Sequence, residues 1–269
     1  MSTITAAITA VGAYVPDFVL TNEILETLVD TNDEWITART GIKERRILKD
    51  DSKGTSYLAI MAAKDLMAKA NLDPLEIDLV IVATATADMP VAATAAYVAT
   101  EIGATNAFGY DLQAACSSFL FGMSTAAAYI QSGRYKKVLL IGADKMSSIV
   151  DYTDRATCII FGDGAGAALF EPNYEGLGVL DEYLRSDGIG RDFLKIPAGG
   201  SLIPTTIDTV KENRHNIIQD GKTVFKYAVT NMADASEQIL KRNNLTNEDV
   251  DWLVPHQANK RIIDATASR

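Results

Sequence analysis

The stretch 111-DLQAACSSFLFG-122 places Cys116, one of only two cysteines, between small residues where a strand-like run meets a helix-like one. A thiol at a helix N-terminus faces unpaired backbone N–H groups and the positive end of the helix dipole. Both favour the thiolate, so the position predicts a lowered pKa and a nucleophile at neutral pH. The other reading is a small hydrophobe packed in a core. Ala114, Ala115, Ser117 and Ser118 leave room for a substrate to approach. Cys158, in the apolar run 157-TCIIFG-162, reads as core.

Of the two histidines, His215 lies in the polar stretch 211-KENRHNIIQDG-221 and reads as surface. His256, in 252-WLVPHQANKRI-262, follows a run expected to be a buried strand and precedes a helix. In open parallel sheets, sites assemble at the carboxyl ends of strands, so His256 is a catalytic candidate as well as a structural one. The glycine-rich 162-GDGAGA-167 has no Lys-Ser/Thr pair to cradle phosphate, and a strand-like AALF follows it. It reads as a tight turn into a strand.

The elements that must position these residues alternate in type. Residues 56–72 carry Leu58, Met61, Ala62 and Met67 at helical spacing. The run 76-EIDLVIVATAT-86 is aliphatic and β-branched, as a strand buried on both faces requires. A helix is expected at about 91–102, a strand at 108–113, a long apolar helix at about 116–132 and a buried strand at 136–144. This order predicts an α/β fold with a largely parallel central sheet.

The pattern recurs. The segment 72-LDPLEIDLVIV-82 matches 245-LTNEDVDWLVP-255 at an offset of 173 residues, and helix-like runs precede both. The chain therefore reads as a duplicated α/β unit, with halves at 1–173 and 174–269. The counterpart of the segment that runs through Cys116 to Phe170 would extend past Arg269. The second half is accordingly expected to be incomplete, and the chain to be shortened at its C-terminus.

Composition narrows the classes. The 269 residues are 48% hydrophobic and 22% charged, ordinary for a globular protein. A net charge of −10 argues against general nucleic-acid or anionic-membrane binding. Asp88 and Pro90 break the most membrane-like window, 79–99. Two cysteines make no disulfide framework, which suits a reducing cytoplasm.

The segments 33-DEWITARTGIKERR-46, 111-DLQAACSSF-119, 154-DRATCIIFGDGAGA-167, 220-DGKTVFKYAV-229 and 255-PHQANKRI-262 together resemble the β-ketoacyl-acyl-carrier-protein synthase III family of thiolase-like condensing enzymes. The resemblance implies duplicated α/β units whose central, mostly parallel sheets lie between helices. It implies that Cys116 takes an acyl group from acyl-CoA and that malonyl-acyl carrier protein, losing carbon dioxide, attacks the thioester. His256 would stabilise the enolate, and Asn259 would order the second-step site. Trp35 and Arg155 would hold the adenine of coenzyme A, and Arg39 its phosphate. Lys226 and Arg261 would meet the acidic carrier protein, while Lys260 reads as an ordinary solvated lysine. Met89 would close the acyl pocket of a partner in a homodimer whose interface lies near 82–112. No metal or redox cofactor is implied. Position 118 is Ser where the family often has Gly. The family's catalytic asparagine and glycine-rich C-terminal segment are expected beyond Arg269.

A cysteine hydrolase is a rival by spacing, but the C-G-[SA]-C-[WY] signature is missing. A thiolase proper, which would want a second reactive cysteine near its C-terminus, a thiolase-like acyltransferase serving another nucleophile and a non-catalytic thiolase-like scaffold or fragment are the remaining alternatives.

Overall fold

Covering both faces of a strand is what permits a run such as 79-LVIVA-83, and the chain builds such a sandwich. The computed structural model describes residues 4–268; Arg269, where the shortened end was expected, lies outside them. The strands are β1 (Thr5–Tyr14), β2 (Phe18–Thr21), β3 (Glu44–Ile47), β4 (Leu79–Ala83), β5 (Phe108–Leu112), β6 (Val138–Lys145), β7 (Asp163–Asn173), β8 (Leu194–Lys195) and β9 (Ile218–Gln219). The helices are α1 (Asn22–Glu26), α2 (Asp33–Thr40), α3 (Thr55–Ala70), α4 (Thr94–Glu101), α5 (Ser118–Gln131), α6 (Arg155–Cys158), α7 (Ile207–Lys211), α8 (Gly221–Arg242) and α9 (Lys260–Ala267). Two compact units interleave along the chain, one of residues 1–18, 46–146 and 163–184, the other of 19–45, 147–162 and 185–269.

The first unit holds a five-stranded sheet in the order β1-β7-β6-β4-β5. β4 runs parallel to both β5 and β6, with Leu79 opposite Phe108 and Val138. β7 is antiparallel to β6 and β1. The sheet is thus mixed, with the parallel part where βαβ crossovers connect the strands and the antiparallel part where β7 returns beside β6. Val80, Val82, Leu139 and Ile141 face a core shared with α3 and α4, from which Ala59, Leu66 and Val98 project. Leu79, Ile81, Val138 and Leu140 face the opposite core, with Ala126 and Ile130 of α5. Each fully buried aliphatic side chain contributes about 1.5–3 kcal/mol of transfer free energy. The glycine-rich stretch expected to be a tight turn is itself strand: β7 begins at Asp163, which accepts a hydrogen bond from the Leu48 N–H at 2.8 Å, and Gly164 and Gly166 lie in its ladder with β6.

The repeat holds in detail. α3 ends in Asn71 with φ of 48°, and 173 residues later α8 is followed by Asn244 with φ of 55°. The next N–H returns to the helix in both copies, from Leu72 to Met67 and from Leu245 to Leu240. A short 3₁₀ turn follows at Pro74–Glu76 and again at Asn247–Asp249. There the likeness stops. The first copy forms β4, whereas the run 252-WLVP-255, expected to be a buried strand, is irregular. Trp252 is 86% and Val254 89% exposed. A strand exists through its neighbours' hydrogen bonds. β4 has one on each side, and no strand among the described residues pairs with 252–255.

Candidate active site

In the first unit the carboxyl end of edge strand β5 delivers the cysteine. Cys116 sits in a 3₁₀ turn, Ala115–Ser117, and α5 begins only at Ser118. Ala115 holds φ of 49°, a left-handed conformation unusual for a residue with a Cβ. The turn is braced by Ser118, whose buried hydroxyl accepts the Ala114 N–H at 2.6 Å. α5 in turn lies close on β6. A Cβ on Gly122 would collide with Leu140, and one on Gly142 would sit 3.2 Å from the Phe119 ring. The small residues of the motif therefore set the approach of helix to sheet.

Cys116 is a free, exposed thiol. It nevertheless lies in a recess dense with protein atoms. Partial loss of hydration, and secondarily the negative Asp144 carboxylate, push its pKa up against a smaller backbone contribution. This corrects the expectation of a depressed pKa. The thiol precedes the helix it was expected to begin, and a carboxylate acts on it. Asp144, at the end of β6, accepts four hydrogen bonds through Oδ1: from Thr84 Oγ1 at 3.0 Å, Ala85 N at 2.8 Å, Thr86 N at 3.1 Å and Thr86 Oγ1 at 2.9 Å. Burial raises its own pKa, and these donors oppose the rise. Nothing in the spacing of 136-KKVLLIGAD-144 singled it out; a carboxylate closing a buried strand was the available clue. The loop that follows β4 is pinned by Asp88, whose Oδ1 accepts the Ser56 N–H at 2.9 Å. It carries Met89, 57% exposed. Cys158 is fully buried, and burial followed by Asp154 lifts its thiol to about 11.

In the second unit a cleft of about 320 Å³ gathers Trp35, Arg39, Arg155, Gln219, Asn259 and Arg261. Asn32 caps α2 by accepting the Trp35 N–H at 2.7 Å, which fixes the helix that carries Trp35 and Arg39. Both arginines meet the indole: the Arg39 and Arg155 Cζ atoms lie 4.8 and 4.9 Å from its ring centroid. Arg155 Nη1 also donates to the Asp30 carbonyl at 2.8 Å. Arg261 lies 4.7 Å over the Phe225 ring. Asn259 caps α9, its Oδ1 accepting the Ile262 N–H at 3.0 Å. Lys260 pairs with Asp264 at 2.7 Å in solvent, as an ordinary lysine does. Lys226 is exposed on α8 and does not line the cleft. His256 is on the irregular segment before α9, not at a strand end. Its imidazole reaches solvent, but surrounding protein depresses the pKa and keeps the ring neutral at pH 7. His215 is exposed, as expected.

The arrangement offers two capacities: an accessible thiol on a braced turn, and a cleft whose indole and guanidinium groups suit a purine and its phosphates. Gln219 was missed in the sequence, where IIQDG carries no chemical signature.

Comparison with known proteins adds the following. Residues 110–188 match the family model described as 3-oxoacyl-[acyl-carrier-protein] synthase III, and residues 240–269 match its C-terminal model. The chain is 55% identical over all its 269 residues to β-ketoacyl-[acyl-carrier-protein] synthase III 1 of Bacteroides thetaiotaomicron, covering 80% of that protein. It is 57% identical over 266 residues to the β-ketoacyl-[acyl-carrier-protein] synthase III of Chlorobaculum tepidum, covering 98% of this chain and 81% of that one. A solved synthase III from Thermus thermophilus superposes with a TM-score of 0.87 at 41% identity, over 97% of this chain and 80% of the other.

Proposed function

This chain belongs to the β-ketoacyl-acyl-carrier-protein synthase III family, the initiating condensing enzymes of fatty acid synthesis, and on that premise we propose that Cys116 is its acyl-carrying nucleophile. The supporting observation is an exposed thiol on the turn braced by Ser118, at the carboxyl end of β5.

In the first half-reaction the Cys116 thiol gives up its proton as its sulfur attacks the thioester carbonyl of acyl-CoA, and that proton is balanced by the one the departing coenzyme A sulfur takes up. The C–S bond to coenzyme A breaks, its thiolate leaves, and the acyl group stays on Cys116. A thiolate attacks thioesters readily and leaves readily afterwards. In the second, malonyl-acyl carrier protein loses carbon dioxide, and the resulting enolate carbon attacks the acyl-cysteine. The new C–C bond expels the Cys116 thiolate and yields the β-ketoacyl product. A neutral His256 offers one ring N–H to the enolate oxygen, stabilisation directed at charge that develops only in the transition state. Asn259, by capping α9, fixes the backbone beside it.

Trp35, Arg39 and Arg155 hold the nucleotide end of coenzyme A, supported by their meeting in one cleft. Lys226 and Arg261 meet the acidic carrier protein. Such contacts steer encounter electrostatically, so the KM for malonyl-acyl carrier protein should climb with salt. The reaction needs no resident cofactor. A working thiolate is consistent with a reducing cytoplasm. The assembly is a homodimer, with the Met89 loop and the outer edge of β5 on its interface.

The test is intact-protein mass spectrometry before and after incubation with acetyl-CoA, on the wild type and Cys116→Ala. One acetyl group gained by the wild type and absent from the variant is expected. A wild type that gains none, or a variant that still gains one, overturns the assignment.

A further inference from the structure

The cleft contains one polar atom with nothing to do. Gln219 Oε1 is sealed from solvent and accepts no hydrogen bond. A buried carbonyl oxygen without a donor is costly, and glutamine side chains ordinarily turn to find one. Here the backbone on both sides is held. Gln219 pairs with Leu194 in the β8–β9 ladder. The next residue, Asp220, donates its N–H to the Phe193 carbonyl at 2.8 Å and caps α8 by accepting the Thr223 N–H at 3.2 Å. Gln219 thus lines the cleft from a fixed strand end, and a half-turn of its amide brings the sealed oxygen to a ligand there.

We propose that Gln219 is a specificity residue that accepts a hydrogen bond from an amide N–H of the pantetheine arm shared by acyl-CoA and the carrier protein. This deepens the reading of the cleft as the coenzyme A site and rests on it. The chemistry selects the donor. An amide oxygen repels phosphate, which the guanidinium groups of Arg39 and Arg155 accommodate. The planar purine matches the indole of Trp35. Gln219, Gly221 and Asn259 form an uncharged stretch of the lining, suited to a neutral chain whose own polar groups are amides. A site built to bond a substrate N–H discriminates strongly, because an analogue without that donor leaves the acceptor unmet.

The experiment compares wild type, Gln219→Met and Gln219→Ala, using three probes in calorimetric titrations: coenzyme A, 4′-phosphopantetheine and adenosine 3′,5′-bisphosphate. Methionine keeps the approximate shape and removes the acceptor, and alanine serves if methionine disturbs folding. Nothing in the protein bonds to Oε1, so the thermal midpoint should not fall. Both variants are expected to bind coenzyme A and phosphopantetheine about tenfold more weakly, one hydrogen bond's worth. Binding of the bisphosphate should be unchanged, and the KM for acetyl-CoA should rise with kcat preserved. Unchanged binding of all probes overturns the proposal, as does a loss confined to the bisphosphate. A wild type that binds none of the three overturns the cleft assignment and this proposal with it.

Discussion

Two influences oppose one another at the Cys116 sulfur. The peptide dipoles around the turn favour a thiolate, while the recess and the Asp144 carboxylate favour the thiol, and the balance lies with the thiol. The proton is therefore held more tightly than in a free cysteine, and alkylation should increase as pH rises through that elevated pKa. Asp144→Asn keeps an Oδ1 able to accept the Thr84, Ala85 and Thr86 donors while removing the charge. Its iodoacetamide rate profile should shift to lower pH than the wild type's. A profile that does not move, or that moves upward, would show that the carboxylate is not what holds the proton. Cys158, buried and at about 11, should stay unlabelled in the native protein throughout. The exposure of the thiol was legible in the sequence, because small residues bracket it. Its pKa was not, because Asp144 arrives from a strand 28 positions away in the chain and only the sheet brings their fields together.

α5 shows how the elements aim the site. Gly122 lets the helix settle on Leu140, and the serine at its first position ties it to the turn that carries the cysteine. Gly122→Ala should force the fully buried Leu140 side chain or the helix itself to shift, an overpacking cost of about 1–3 kcal/mol that exceeds the helix propensity alanine gains. The drop would appear as a lower thermal midpoint together with slower acetylation of Cys116; an unchanged midpoint would mean that the seat has slack. The duplication was legible from Leu72 and Leu245 onward, while the asparagines just before them, left-handed at the ends of α3 and α8, were passed over although such caps have a strong residue preference. The segment 252–255 was misread for a complementary reason. Its hydrophobic pattern matches that of β4, but pairing depends on chain elsewhere, which a local pattern does not contain. The mixed sense of the sheet was hidden likewise, because nothing in β7's composition fixes the direction in which it returns.

At the scale of the whole molecule, the edge of β5 is where the first unit stops. Its outer row of N–H and C=O groups has no partner strand among the described residues, and Phe108 beside it is 41% exposed. Edges of this kind invite pairing with another chain unless they are covered. A homodimer joined there should sediment with twice the mass of one chain at micromolar concentration, and a single-chain mass under those conditions would remove the interface assigned to the Met89 loop. The two tryptophans also make the molecule self-reporting. Trp35 rests against two guanidinium groups, while Trp252 stands in solvent. A flat ligand that enters the cleft must change the contacts of one indole and leave the other alone. Intrinsic emission should therefore separate into a component that follows occupancy and a component that acrylamide quenches regardless, an optical gauge of binding that needs no label.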